Sequence, residues 1–191
     1  RGVRNFVVGT LTTEPESYPD ANFLVVGSPL KALQRLASRH REQFQVPVVG
    51  ITGSNGKTIV KEWLYQILSP ERIITRSPRS YNSQIGVPLS VWMMNEHTEL
   101  GIFEAGISEM GEMEALKPII QPTIGVLTNI GGAHQENFTS LQDKCMEKLQ
   151  LFKDCDVIVY NGDNELISSC VSKSLFTARE IAVSYTHLRA H

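Results

Sequence analysis

Cysteine is scarce in this 191-residue sequence, and neither a long hydrophobic run nor an excess of charge of one sign is present. Its three cysteines include no C-x-x-C pair, so a thiolate metal site is unsupported and reduced, cytoplasmic thiols are expected. No stretch is apolar enough to span a bilayer, and no signal-peptide pattern occurs. The formal net charge of −2 argues against nucleic acid as a partner. What remains is a globular protein, whose 41% hydrophobic residues suffice for a packed core.

From residue 46 onward, apolar runs typical of strands alternate with segments whose apolar residues are spaced as in a helix. Strands are predicted over 46–52, 72–76, 100–105, 123–128, 156–160 and 180–183, and helices over 57–68, 87–94, 111–120, 140–153 and 163–173. This alternation predicts an α/β fold in which a mostly parallel sheet carries helices on both faces. In the first of these helices Trp63 belongs to an apolar face, so we expect it in the core.

Residues 1–45 are predicted to be a separate unit. Two short apolar runs begin at Asn5 and Phe23, and helical spacing follows over 30–44. The chain opens on Arg1 without a Met, and residues 184–191 continue no pattern. We therefore expect a piece of a longer protein with a non-native tail at 184–191.

Residues 46–58 carry the clearest functional signal. An apolar run leads into a glycine-rich turn, which is followed by Lys57, Thr58 and a predicted helix. Glycines let backbone N–H groups approach phosphates, and a helix N-terminus adds a positive field. Lys57 would reach the β- and γ-phosphates and the Thr58 hydroxyl would bind Mg²⁺. The predicted phosphate-binding residues are Gly53, Ser54, Asn55, Gly56, Lys57 and Thr58.

Other polar residues follow the predicted strands at the same edge of the sheet. Glu104 ends one strand, Asn129 and His134 follow the next, and Asn161 and Asp163 follow a third. Ligands of open α/β sheets bind beyond the carboxyl ends of the strands. We therefore predict that Glu104 binds Mg²⁺ and that His134 serves a second metal or the substrate.

Two further groups of residues are ambiguous from sequence. Lys144 and Lys148 share one helix face and, taken alone, would be solvated surface lysines. Asn82, Ser83 and Gln84 precede a predicted helix, where they could bind substrate or simply cap the loop.

Several motifs resemble the Mur ligase family, the ATP-dependent amide-forming synthetases of peptidoglycan precursors. The stretch 52–58 matches the family's short T-G-x-N-G-K-T loop, in which Ile51 stands where a standard Walker A loop has glycine. Residues 81–88 resemble N-N-x-I-G-V-P, with Ser83 in place of the second Asn. Residues 103–112 and 129–138 resemble E-x-G…G-E and N-x-x-x-A-H-x-E-x-F. These three segments favour the dipeptide-adding branch, and the resemblance covers about residues 20–170.

The resemblance implies ATP and two Mg²⁺ ions as cofactors. Thr58 and Glu104 would hold the first ion, and His134 would help to hold the second. Family members carry a carbamylated lysine on the helix after this histidine. Lys148 falls at the matching place, and Lys144 is the alternative.

The resemblance also implies the reaction. D-alanyl-D-alanine would be added to UDP-N-acetylmuramoyl-tripeptide (UDP-MurNAc-tripeptide) through an acyl phosphate, with Lys57, His134 and Lys148 as catalytic residues. Asn82, Ser83 and Gln84 would face the substrates. We expect a monomer, and a fusion of the parent to another domain stays open.

In domain terms, residues 1–45 would end a UDP-substrate domain and residues 46–183 would form an incomplete central ATP-binding domain, inactive alone. Two alternatives remain. One is another Mur-type or folylpolyglutamate-type ligase. The other is a P-loop module that binds nucleotide without forming a bond, which would not need Glu104, His134 and a lysine together.

Overall fold

A computed structural model of the chain describes residues 4–9, 17–132 and 137–184. Its strands are β1 (Asn5–Val8), β2 (Asn22–Val25), β3 (Val48–Thr52), β4 (Ile74–Arg76), β5 (Leu100–Glu104), β6 (Ile124–Leu127), β7 (Val157–Asn161) and β8 (Arg179–Val183). Its helices are α1 (Pro29–Arg41), α2 (Lys57–Leu68), α3 (Gly86–Val91), α4 (Glu112–Ile120), α5 (Leu141–Leu149) and α6 (Glu165–Lys173), and a 3₁₀ turn (Gln150–Phe152) follows α5. None of the helices in these ranges has the length and apolar character needed to cross a membrane.

The main sheet is six-stranded, with order β4-β5-β3-β6-β7-β8, and every neighbouring pair is parallel. The predicted α/β fold class is therefore confirmed. β3 lies inside the sheet and all five of its residues are buried, as expected of a strand covered on both faces. Its carboxyl end opens between the ends of β5 and β6, so groups that follow these three strands become neighbours. β1 and β2 form a separate parallel pair.

The sheet has a hydrophobic cluster on each face, because successive side chains of a strand point in opposite directions. The larger cluster contains Phe103 and Phe152, and the smaller contains Ile51 and Ile102. Gly125 of β6 is needed for this packing, since a Cβ there would lie 2.5 Å from Cδ1 of Phe152.

The prediction that Trp63 belongs to the core is wrong. Trp63 is 62% exposed, whereas Lys61 of the same helix is 0% exposed. Val60 and Leu64 pack against the sheet, and Lys61 lies on this inward side of α2. Counting apolar residues cannot reveal such a face, because one of its buried positions is a lysine whose partners lie elsewhere in the chain.

Helix α1 is attached to the following part of the chain by hydrogen bonds. Nε of Arg41 donates to the carbonyl of Ile120 at 3.0 Å, and Nη2 donates to that of Gln121 at 3.1 Å. Oγ of Ser38 donates to the carbonyl of Pro118 at 2.8 Å. The division of the chain at residue 45 stays a prediction, and α1 packs against α4 across it.

Candidate nucleotide-binding site

The loop between β3 and α2 has a backbone that requires glycine at two positions. Gly53 has φ of 142° and Gly56 has φ of 83°, values that side chains disfavour. Space is also restricted, because a Cβ on Gly53 would lie 2.0 Å from Oγ1 of Thr128. Gly56, the residue that precedes α2, has no side chain with which to cap the helix. The first N–H groups of the helix, together with its dipole, therefore present a positive site suited to an anion.

The loop after β6 supports this phosphate loop. The N–H of Ser54 donates to the carbonyl of Asn129 and the N–H of Asn55 donates to Oδ1 of Asn129, both at 2.8 Å. Oγ1 of Thr128 donates to the carbonyl of Asn55 at 2.6 Å, and the N–H of Gly131 donates to Oγ of Ser54 at 2.9 Å. Asn129, predicted as a strand-end group, thus shapes the loop.

Lys57 bends back over the loop that precedes it. Its Nζ donates to the carbonyl of Gly53 at 2.9 Å and to that of Ser54 at 3.3 Å. Burial lowers the pKa of Lys57, Glu104 opposes that shift, and the charge of Lys144 adds to it. Both of these acceptors are neutral carbonyls. A phosphate bound at the helix N-terminus would place a negative charge next to Lys57.

Glu104 and Thr58, predicted as metal ligands, are brought together. Glu104 is 0% exposed, and its Oε2 accepts a hydrogen bond from Oγ1 of Thr58 at 3.0 Å. Nδ2 of Asn82 lies 3.4 Å from the same oxygen. Oγ of Ser80, which the sequence did not single out, lies 3.3 Å from Oγ1 of Thr58.

This arrangement fits Mg²⁺ bound together with a nucleotide. Hydroxyl and carboxylate oxygens are the ligands that Mg²⁺ prefers, and it takes the remainder from phosphates and water. Within the described ranges, no group of three His, Cys, Asp or Glu side chains is placed to hold a metal alone.

The substrate residues predicted after β4 have different surroundings. Asn82 contacts Glu104, whereas Oγ of Ser83 accepts from the N–H of Gly86 at 3.1 Å, next to α3. Oε1 of Gln84 accepts a hydrogen bond from Nε2 of Gln34 at 2.8 Å. Asn82 therefore lies at the site, while the contacts of Ser83 and Gln84 are with neighbouring elements.

Lys144 and Lys148 are not surface residues, with exposures of 1% and 2%. Nζ of Lys144 donates to the carbonyl of Gly131 at 2.7 Å and lies 5.7 Å from the Phe138 ring. Burial, then the charges of Lys57 and Lys144, lower the pKa of Lys148 to about 7. The interpretation of these two as solvated lysines is wrong, because α5 turns this face inward.

Other candidates lie elsewhere. His134 falls outside the described residues. Asn161 ends β7 and Asp163 follows it, two strands from β3, and the N–H of Asp163 donates to Oδ1 of Asn161 at 3.0 Å. The cysteines at 145, 155 and 170 are free and buried.

A glycine-rich loop between a buried central strand and a helix that begins directly after Gly56, with a carboxylate from the adjacent strand, defines a P-loop-type nucleotide-binding domain. The family model described as the Mur ligase middle domain matches residues 51–188. The chain belongs to the Mur ligase family.

Curated relatives come from several bacteria. The chain is 34% identical to the UDP-N-acetylmuramoyl-tripeptide–D-alanyl-D-alanine ligase of Bacillus subtilis over 81% of this chain and 35% of that protein. It is 40% identical to the ligase of the same name from Borreliella burgdorferi over 75% of this chain and 31% of that protein. The chain thus spans about a third of the length of these relatives.

A solved structure has the same fold. The crystal structure of the MurF ligase of Thermotoga maritima in complex with ADP matches with a TM-score of 0.80 at 26% identity, covering 96% of this chain and 48% of that one.

Proposed function

We propose that the protein carrying this chain is an ATP-dependent ligase that joins D-alanyl-D-alanine to UDP-MurNAc-tripeptide. The observation that carries the proposal is the contact of Oγ1 of Thr58 with Oε2 of Glu104 at 3.0 Å beside the N-terminus of α2, which begins after Gly56. The names of the relatives at 34% and 40% identity support the choice of substrates.

The proposed reaction has two steps. A carboxylate oxygen of the tripeptide bonds to the γ-phosphorus of ATP, and the bond from that phosphorus to ADP breaks. The amine of the dipeptide then bonds to the acyl carbon, loses a proton, and expels phosphate. Lys57 and the N–H groups of α2 would stabilise charge on the transferred phosphoryl group. No protein nucleophile is required.

The first metal site consists of Thr58 and Glu104. Mg²⁺ bound there would neutralise charge on the phosphate oxygens. The amide of Asn82, 3.4 Å from Oε2 of Glu104, would keep that oxygen directed toward the loop. For the second ion we retain His134 and a carbamylated lysine.

Lys148 suits carbamylation better than Lys144. Only a neutral amine attacks CO₂, forming the N–C bond as it loses a proton. With a pKa of about 7, Lys148 is a neutral amine in about half of the molecules at neutral pH. Lys144 instead donates to the carbonyl of Gly131 at 2.7 Å, so its role would be to hold the loop after β6.

We place this activity in a cytoplasmic monomer that supplies peptidoglycan synthesis, with no nucleic acid partner. A sister ligase would use the same phosphate site with other substrates. A nucleotide switch would leave the buried lysines on α5 without a role, and their convergence on Lys57 favours the ligase.

The test follows phosphate release from ATP and Mg²⁺ by the whole protein, with UDP-MurNAc-tripeptide and D-alanyl-D-alanine added singly and together. We expect release that requires both substrates and falls at least about a hundredfold in Lys57→Ala. Lys117→Ala, at an ion-paired lysine of α4, is the matched control and should retain activity. Release that ignores both substrates would favour a switch, and release with a single amino acid would favour a sister ligase.

A further inference from the structure

Lys61 is fully buried in α2, one turn beyond Lys57, and the proposed reaction assigns it no role. Burying an ammonium group costs free energy unless partners compensate for its lost hydration. The partners of Lys61 therefore indicate why a lysine occupies this place.

Those partners come from three elements. Nζ of Lys61 donates to the carbonyls of Ser77, at 2.8 Å, and Arg79. It also forms ion pairs with Oε1 of Glu104 at 3.0 Å and Oε1 of Glu62 at 3.1 Å. One buried cation thus connects α2, the end of β5 and the segment that follows β4.

The contact divides the two oxygens of Glu104. Oε1 faces Lys61 and accepts no hydrogen bond of good geometry from the described residues. Oε2 is thereby left facing Thr58 and Asn82. With one carboxylate oxygen held by Lys61, the other is directed toward the phosphate loop, so the ion pair fixes the orientation of the Glu104 carboxylate.

The segment after β4 is held by the same lysine. Arg79 has φ of 49°, a left-handed conformation that is uncommon without glycine, and its carbonyl accepts from Lys61. The next residue, Ser80, lies with its Oγ 3.3 Å from Oγ1 of Thr58. Lys61 thus keeps this segment over the first turn of α2.

We propose that Lys61 is a positioning residue that orients Glu104 for the divalent cation bound with the nucleotide. The proposal rests on the nucleotide site of the proposed function and not on the identity of the ligase substrates. Lys61 acts through Glu104 and touches neither nucleotide nor metal itself.

The test measures ADP affinity of the whole protein by calorimetry, with Mg²⁺ and with a chelator. In Lys61→Met we expect the gain in affinity due to Mg²⁺ to fall about tenfold, as for other residues that support metal ligands. Affinity without Mg²⁺ should stay within about twofold, because the phosphate loop is intact. An unchanged gain would overturn the proposal. A larger gain would overturn it too, because removing a lysine that merely repels the cation would strengthen Mg²⁺ binding.

Control variants separate the outcomes. Lys117→Met, the same substitution at the lysine that pairs with Asp154 at 2.5 Å, should leave the gain unchanged. In a Glu104→Gln background, Lys61→Met should cause no further fall, and a further fall would contradict action through Glu104. Where Lys61→Met does not fold, Lys61→Gln keeps N–H donors without the charge, and a full gain there would equally overturn the proposal.

The result also distinguishes the two proposals. If the unaltered protein binds no ADP, the nucleotide function fails, and the role of Lys61 fails with it. If it binds ADP with a normal Mg²⁺ gain that Lys61→Met retains, only the role of Lys61 is overturned.

Discussion

At the scale of the residue, the site depends on lysines that are buried close to one another. Lys57 and Lys148 both have a lowered pKa, and burial is the largest cause in each case. The charge of Lys144 lowers both values further. Such a cluster is unfavourable unless anions neutralise it, and the nucleotide phosphates and the proposed carbamate on Lys148 would be two such anions.

The lowered pKa of Lys148 predicts a pH-dependent stability. The folded value is about 7, below the value near 10.4 of an unfolded lysine. Between these values the unfolded state binds the extra proton, so the free energy of unfolding rises with pH by up to about 1.4 kcal/mol per unit. Below about pH 7 both states are protonated, and this contribution stays at its lowest value.

Lys148→Met should remove that slope and should be most stable, relative to the unaltered protein, at about pH 7 and below. Urea denaturation of the whole protein across this range, in CO₂-free buffer, measures the difference. Parallel curves for the two proteins would show that Lys148 titrates normally.

At the scale of the element, the β3–α2 loop and the loop after β6 form one bonded unit. The backbone of Ser54 and Asn55 is held by Asn129, and Thr128 returns a bond to Asn55. The motif alone predicts the glycines, Lys57 and Thr58. It does not predict this support, because the bonds join segments more than seventy residues apart.

Gly53→Ala tests that unit. Its φ of 142° and the 2.0 Å approach of a new Cβ to Oγ1 of Thr128 predict destabilisation of about 1–3 kcal/mol. We also expect ADP affinity to fall about tenfold or more as the loop shifts. Thermal unfolding and ADP calorimetry of the whole protein measure the two effects.

The control is Gly27→Ala, where a Cβ would meet nothing within 4 Å. It should change neither quantity. Wild-type ADP affinity in Gly53→Ala would show that the loop adapts to a side chain and does not depend on glycine there.

At the scale of the whole molecule, the chain covers 35% and 31% of the two relatives described above. Because these relatives extend well beyond the part that the chain matches, we expect groups outside this chain to complete the substrate sites. The chain by itself contains the phosphate loop, Glu104 and the lysines of α5.

The 191-residue chain produced alone should therefore bind Mg²⁺–ADP weakly and release no phosphate with both substrates present, whereas the whole protein should turn over. Calorimetry and the phosphate assay, run on both forms at equal concentration, make the comparison. Turnover by the chain alone would place all the required groups within it.

Local pattern was sufficient for the α/β class, the strand–helix order and the glycine-rich turn between β3 and α2. Alternation of apolar periods dictates crossover connections, and a glycine turn between strand and helix has few other uses. It also identified Glu104 as a strand-end carboxylate. All of these depend on residues that are close together in the chain.

Only the packed structure showed which of these side chains are buried and which groups they contact. Lys61, Lys144 and Lys148 are buried and Trp63 is exposed, the opposite of what their side chains favour alone. A lysine is tolerated inside where carbonyls and carboxylates from other segments meet it, as at Lys61, or where burial favours its neutral form, as at Lys148. These contacts follow from the order of strands in the sheet, and no local sequence pattern encodes that order.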